Sequence, residues 1–286
     1  MKKILIMLGL IMLTGTAVQA ANCENFGCAA NPYSNSLSFS NLTGTNFLAE
    51  KIGNLVIKKA IKKDSKGKYK VNLQSYNLTA LKKGIFKSLE IDGTDTVTDE
   101  IYVSKVKLKT LCDYNYVDIN NKDNTATFME PFAMSFALQI TENDLIKTME
   151  SKSYTELLRR VNSIGNTSKL FNIVSTKAKI EDNKLYYIMS VGIPFVKAKQ
   201  DITIETDFKV RNGEIALNNT KLVTNVFKFD ISKLEKIINY LNPLEFSMGI
   251  LENQEVQTQV KEITINDNKI DISGIFTVEK GFVTEK

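Results

Sequence analysis

No histidine occurs among the 286 residues. That absence removes the Ser-His-Asp and Cys-His nucleophile systems and the usual zinc-protease ligand sets. A Gly-rich phosphate loop and a dinucleotide fingerprint are missing as well. Acidic residues are scattered over turns, where Asp182 and Asp267 are explained by turn chemistry, so no carboxylate pair stands out. No enzymatic activity, cofactor or metal is expected. An excess of one charge is also lacking, with 37 Lys and Arg against 32 Asp and Glu. Such a balance gives no reason to expect a nucleic-acid partner.

Long apolar runs are absent after the first. Lys2 and Lys3 precede the run Ile4 to Leu13, and Val18-Gln19-Ala20 supplies small residues for cleavage. Residues 1–20 are expected to be a signal peptide, cleaved after Ala20. Its loss takes the 37 basic residues down by two, to 35 against 32 acidic, a net charge of +3. No later segment approaches the ~18 apolar residues of a spanning helix. The mature chain is therefore expected to be exported, to a periplasm, cell envelope or the extracellular space, and to be soluble or peripheral to a membrane.

Cysteine is scarce, at three residues. Export would make disulfides permissible. Cys23 and Cys28 are close enough in sequence to bridge, which would leave Cys112 as a buried or inert thiol. Bridged and unbridged forms are equally open on sequence alone.

What is present is alternation and capping. Residues 21–45, rich in Asn, Ser, Gly and Ala, read as a flexible N-terminal tail, and 46–286 as a single domain. A helix starting near Thr45 or Asn46 carries Phe47, Leu48, Ile52, Leu55, Val56 and Ala60 at helical spacing, with Ile57 and Ile61 widening that face. Lys58, Lys59, Lys62 and Lys63 cluster at its C-terminal end. They suit either anionic headgroups or a solvated, dipole-friendly helix end.

Between Leu81 and Leu111 the pattern predicts a two-strand ribbon. Gly84 opens it, at a point where a Cβ would restrict the backbone. Ile85, Leu89 and Ile91 lead into a predicted turn at Asp92-Gly93-Thr94-Asp95, and Ile101, Val103, Val106 and Leu108 lead out. Period two places Lys105, Lys107 and Lys109 outside and Val106 and Leu108 inside. Tyr114 to Ile119 and Ala126 to Ile140 continue the sheet around a turn at Asn120 to Asp123. The turns Ile180–Leu185, Val210–Ile215 and Ile265–Ile270 each place polar Asn, Asp or Gly between alternating segments, as tight hairpins require. Three such turns predict an antiparallel meander. Capping boxes at Thr141–Asp144, Ser153–Glu156 and Ser232–Glu235 start helices, the last carrying Leu234, Ile237, Ile238 and Leu241 on one stripe.

Phe132 to Leu138 and Leu185 to Ile193 look apolar on both faces, and such strands need cover on both. The interior they imply is lined by Phe, Met, Ile and Leu, and is either packed solid or holds an apolar ligand. The run Leu81-Lys82-Lys83-Gly84-Ile85-Phe86-Lys87-Ser88-Leu89-Glu90-Ile91-Asp92-Gly93, followed by Ile101 to Leu111, resembles the LmeA-like phospholipid-binding family. That family is similar to the tubular lipid-binding folds. The resemblance spans most of 46–280. It implies an α+β fold, with a long, strongly curved antiparallel sheet rolled around two to three amphipathic helices. It also implies binding of phospholipid or another acyl lipid, with transfer or envelope maintenance as the role and peripheral membrane contact.

On periodicity, the lipid-lining set is Leu48, Ile52, Leu55, Phe128, Phe132, Met134, Phe136, Met189, Phe195, Leu234, Ile238 and Met248. The headgroup set is Lys58, Lys59, Lys62 and Lys63. The alternative is a non-enzymatic structural or partner-binding envelope protein with a filled core. Nothing in the sequence fixes the oligomeric state.

Overall fold

The computed structural model describes residues 27–34, 45–120, 125–163, 172–192, 199–224, 241, 244, 256–266 and 268–284. The first half runs α1 (Thr45–Asp64), β1 (Ser65–Gln74), α2 (Leu78–Lys82), β2 (Ile85–Phe86), β3 (Ser88–Thr98), β4 (Ile101–Thr110), β5 (Asn115–Asn120) and β6 (Thr125–Phe128). There follow β7 (Phe132–Thr141), α3 (Glu142–Met149), α4 (Lys152–Ser163), β8 (Asn172–Glu181) and β9 (Lys184–Gly192). β10 (Gln200–Arg211), β11 (Glu214–Leu222), β12 (Val256–Asn266), β13 (Lys269–Val278) and β14 (Val283–Thr284) complete the order.

The result is an α+β fold built on antiparallel sheet, as the hairpin turns predict, but in three sheets rather than one long meander, and only β8 to β11 follow one another in simple meander order. Six strands form one sheet in the order β1-β3-β4-β7-β13-β12, four form β11-β10-β9-β8, and four short ones form β14-β6-β5-β2. Every pairing in them is antiparallel. The hairpins turn where Asn and Asp accept positive φ: Asp182 and Asn183 at +51° and +59°, and Asn212 with Gly213 at +55° and +83°.

Register sorts the six-stranded sheet into an inside and an outside. Val71, Ile91, Leu108, Phe136, Gly274 and Val260 align across it as one row on the inner face. The neighbouring row, Lys70, Asp92, Lys107, Ala137, Ser273 and Glu262, faces out. Lys105, Lys107 and Lys109 are exposed while Leu108 is buried. On that outer face Lys107 lies 3.0 Å from Glu90, and its hydrogen bond holds the Glu90 carboxyl below its ordinary range. The inner residues belong to one cluster that also takes in Leu185, Tyr187, Met189 and Ile204 of the second sheet.

Sheet edges govern where the helices sit. In β1, the Leu73 N–H donates to Asn54 Oδ1 at 2.7 Å, and the Ser75 N–H just beyond donates to Glu50 Oε1 at 2.9 Å. Both acceptors lie one turn apart on α1. At the β8 edge, the Ile180 N–H donates to Glu142 of α3 at 2.7 Å. Asn162 of α4 accepts from the Ile173 N–H at 2.9 Å and donates to the Ile173 carbonyl at 2.8 Å. β12, the remaining edge of the large sheet, donates its Val260 N–H to the Gly213 carbonyl in the β10–β11 turn at 2.7 Å.

Several expectations need correction. Asp92–Asp95 is not a turn: β3 runs on to Thr98, and Asp99 and Glu100 reverse the chain at φ +48° and +68°. Gly93 instead sits mid-strand under the Tyr69 ring, whose Cε1 is 3.0 Å from where a Cβ would be. The face of α1 is also different. Ala60 and Ile61 are buried against the sheet edge, whereas Ile52, Leu55 and Val56 are 62%, 61% and 54% exposed. The polar hooks Glu50 and Asn54 fix the helix's rotation, so apolar periodicity does not decide which side turns in.

Thr141 and Asp144 do form a capping box. At the next helix the Tyr154 N–H donates to Ser151 Oγ at 3.2 Å instead, and Ser153 bonds to Glu100. β9 is not covered on both faces, since Leu185, Tyr187, Met189 and Val191 are buried while Tyr186, Ile188 and Ser190 between them stay half-exposed. Cys28 pairs with Cys112 (S–S 1.99 Å, Cα–Cα 5.6 Å), so a Cys23–Cys28 bridge is excluded. Cys28 reaches across 84 residues because Ala29 and Tyr33 pack on Ala80, Ile85 and Tyr114. Residues 1–20, Cys23 and most of the 21–45 tail lie outside the described residues. So does the Ser232–Leu241 helix except Leu241, which is helical and buried.

Asn162→Ala leaves both backbone groups of buried Ile173 unanswered and should cost on the order of 2 kcal/mol. A lowered denaturant midpoint at unchanged slope would register it, and an unmoved midpoint would mean the edge is wet. Burial pushes the Tyr154 hydroxyl up to about 12, and Tyr187 beside it at 2.8 Å is raised too. The folded state thus holds these protons where the unfolded chain releases them. Stability should be flat below the ordinary phenol value of ~10 and fall as pH rises through about 12. Tyr154→Phe should flatten that fall.

Candidate functional site

Where α1 crosses the β1 edge, it stands off from the chain beyond. Asn77 caps α2 by accepting the Ala80 N–H at 2.7 Å. α2 then ends in a turn at Gly84, whose φ is +80°. A Cβ there would lie 1.9 Å from the Val117 carbonyl oxygen. Gly84 therefore lets the turn press directly on β5, and its carbonyl accepts the Val117 N–H at 3.0 Å. This is the position at which the sequence pattern expects a glycine.

Between α1, β1, α2, β5 and the Phe128–Phe132 corner lies a cavity of about 440 Å³. Its buried lining is Ala60, Leu73, Phe86, Leu89, Phe128 and Phe132. Gly53, Ile57, Leu81, Gly84 and Val117 form the half-exposed flanks. Ile52, Val56, Leu78, Ile119 and Lys82 line it too and are exposed, which places them at the mouth. The floor is aromatic, with Phe128 and Phe132 centroids 5.3 Å apart and Phe86 edge-on to Phe132 at 6.5 Å. Gly53 brings α1 close to β1, since a Cβ would meet Leu73 Cδ2 at 2.6 Å.

Apart from the Lys82 ammonium, no lining side chain carries a polar group. An apolar wall offers water no partners and favours an apolar guest. The volume lies within the ~300–1,000 Å³ of ligand pockets.

Of the residues expected to hold lipid, the structure brings Ile52, Phe128 and Phe132 together here. Leu55 is exposed on α1 and does not line the cavity. Met134, Phe136 and Met189 are buried in the packed core instead. The side chains of Leu48, Phe195, Leu234, Ile238 and Met248 lie outside the described residues. Lys58, Lys59, Lys62 and Lys63 are at the end of α1, and none lines the cavity. Sequence reasoning misses Leu73, Leu81, Lys82, Gly84, Phe86, Val117 and Ile119 as a group, because only the third dimension joins α2 to β5. The signal available was the Leu81–Leu89 run itself.

Gly84→Ala should cost about 3 kcal/mol through positive-φ strain and the clash with Val117. A melting temperature left unchanged by that substitution would mean the α2–β5 wall is not built as described. No protein-family model, no curated protein and no solved structure matches the chain.

Proposed function

We propose that this is an exported, non-enzymatic lipid-binding protein that holds an acyl chain in the cavity beneath α1. The sheet would roll toward α1 to close its side, and phospholipid-derived chains would be the cargo, for transfer or envelope maintenance. The observation that carries this is a cavity of about 440 Å³ with a wholly apolar floor and an exposed mouth that is apolar but for Lys82. At about 30 Å³ per water-sized group, it takes roughly fifteen such groups. Burying that many methylenes contributes about 12 kcal/mol gross at ~0.8 kcal/mol each. Lost translational and rotational freedom costs ~4–15 kcal/mol, so binding near the micromolar range is within reach.

Two further features support the reading. Ile52, Leu55 and Val56 are exposed on α1, and Ile52 and Val56 border the mouth, where a membrane could hand over a chain. The Cys28–Cys112 bridge suits an oxidising compartment. Among the described residues no helix is long and apolar enough to cross a membrane.

Native mass spectrometry of protein purified from membrane-containing cells should show a lipid adduct of one ligand per chain. Val117→Trp, which places an indole in the cavity, should remove the adduct and abolish the fluorescence gain of Nile red while the fold persists. Wild-type protein that emerges lipid-free and ignores liposomes sinks the proposal. A Val117→Trp variant that still carries lipid would put the ligand elsewhere.

A further inference from the structure

Charge and size at the cavity restrict what can occupy it. Lys82 alone among its lining residues carries a formal charge. It both lines the cavity and is exposed, as a lysine is when its stem covers apolar surface and its ammonium stays in water. Among the described residues no carboxylate is in an ion pair with it. The rest of the mouth, Ile52, Val56, Leu78 and Ile119, is apolar. A guest's polar end therefore has one charged partner, at the α2 side.

The same volume that suits roughly fifteen water-sized groups is filled by one long acyl chain and is too small for two. An ammonium is a compact point charge without the fork that would select one oxyanion geometry.

We propose that the site takes a single-chain amphiphile with an anionic head, its tail on the phenylalanine floor and its oxyanion on Lys82. This rests on the acyl-chain reading above. A free fatty acid and a lysophospholipid share the required chemistry, an oxyanion at the end of one chain.

Calorimetric titration of the full chain with hexadecanoate, palmitoyl lysophosphatidylglycerol, hexadecanol and vesicles of diacyl phosphatidylglycerol tests it. Binding of either or both single-chain anions is expected, and which one binds identifies the source of the head. Lys82→Glu should weaken that binding roughly five- to tenfold, an effect that shrinks with added salt, since an exposed attraction becomes a repulsion. Hexadecanol should bind wild type and variant alike. Because Lys82 is exposed, the variant should melt with the wild type, and Lys82→Met should give an intermediate loss. Failure of both single-chain anions to bind the wild type, or anion affinities unchanged in Lys82→Glu, overturns the proposal. So does extraction of the diacyl lipid from vesicles with an affinity matching its single-chain counterpart. If hexadecanol also fails to bind, it is the acyl-chain reading itself that falls.

Discussion

Unpaired amides at the sheet edges are the constraint on which the rest of this fold depends. An edge strand presents N–H groups with no neighbouring strand to accept them, and leaving them bare is costly when buried and invites foreign strands when exposed. Here helices answer them through side chains. Glu50 and Asn54 serve the β1 edge, and Glu142 and Asn162 the β8 edge. The same device works where β7 gives way to α3. β4 pairs with β7 only from Lys105 to Thr110, and earlier in β4 the Tyr102 N–H turns to Thr148 of α3 at 3.0 Å. The Ser104 hydroxyl donates to Asp144 of the same helix. A helix thus continues a strand's role once the strand has ended.

That arrangement explains why a cavity exists beneath α1. A helix docked by an apolar ridge sinks onto its sheet until the gap closes. α1 is held by two carboxyl and amide oxygens on one of its sides, and these set both its distance from the β1 edge and its rotation. Ala60 and Ile61 close the junction at one end. Farther along, Ile52 and Val56 have no sheet to meet and overhang the hollow bounded by α2 and β5.

The strands were legible and the site was not, for a physical reason. Alternation and Asn/Asp turns are local signals, so the three late hairpins and the outward row of Lys105, Lys107 and Lys109 could be read directly. Asp92-Gly93-Thr94-Asp95 misleads because turn-forming residues also serve where a strand passes beneath a ring, as Gly93 passes Tyr69. Which face of α1 turns inward depends on Glu50 and Asn54 finding Leu73 and Ser75, about twenty residues onward. Spacing cannot show that. Phe128 and Phe132 fit the apolar periodicity no better than Met134 and Met189 do, and nothing in periodicity separates a cavity floor from a filled core.

What separates them is bracing. Met134 and Phe276 are paired across β7 and β13 and fully buried, so a void there would forfeit contacts on every side. Beside α2 the wall is a two-residue strand and a glycine turn, elements too short to collapse inward on their own. Behind that wall, Tyr33 stacks on Tyr76 at 4.5 Å, and Ala29 and Tyr33 pack over Ala80, Ile85 and Tyr114. The Cys28–Cys112 bond fastens this segment to the end of β4. By restricting the unfolded chain across so long a loop, the bond contributes about 4.5 kcal/mol in the chain-entropy account. A wall supported from outside need not be filled from inside. The tyrosine layer and its disulfide are thus what allow apolar surface to face a hollow here, while the same side chains elsewhere in the chain are packed to density.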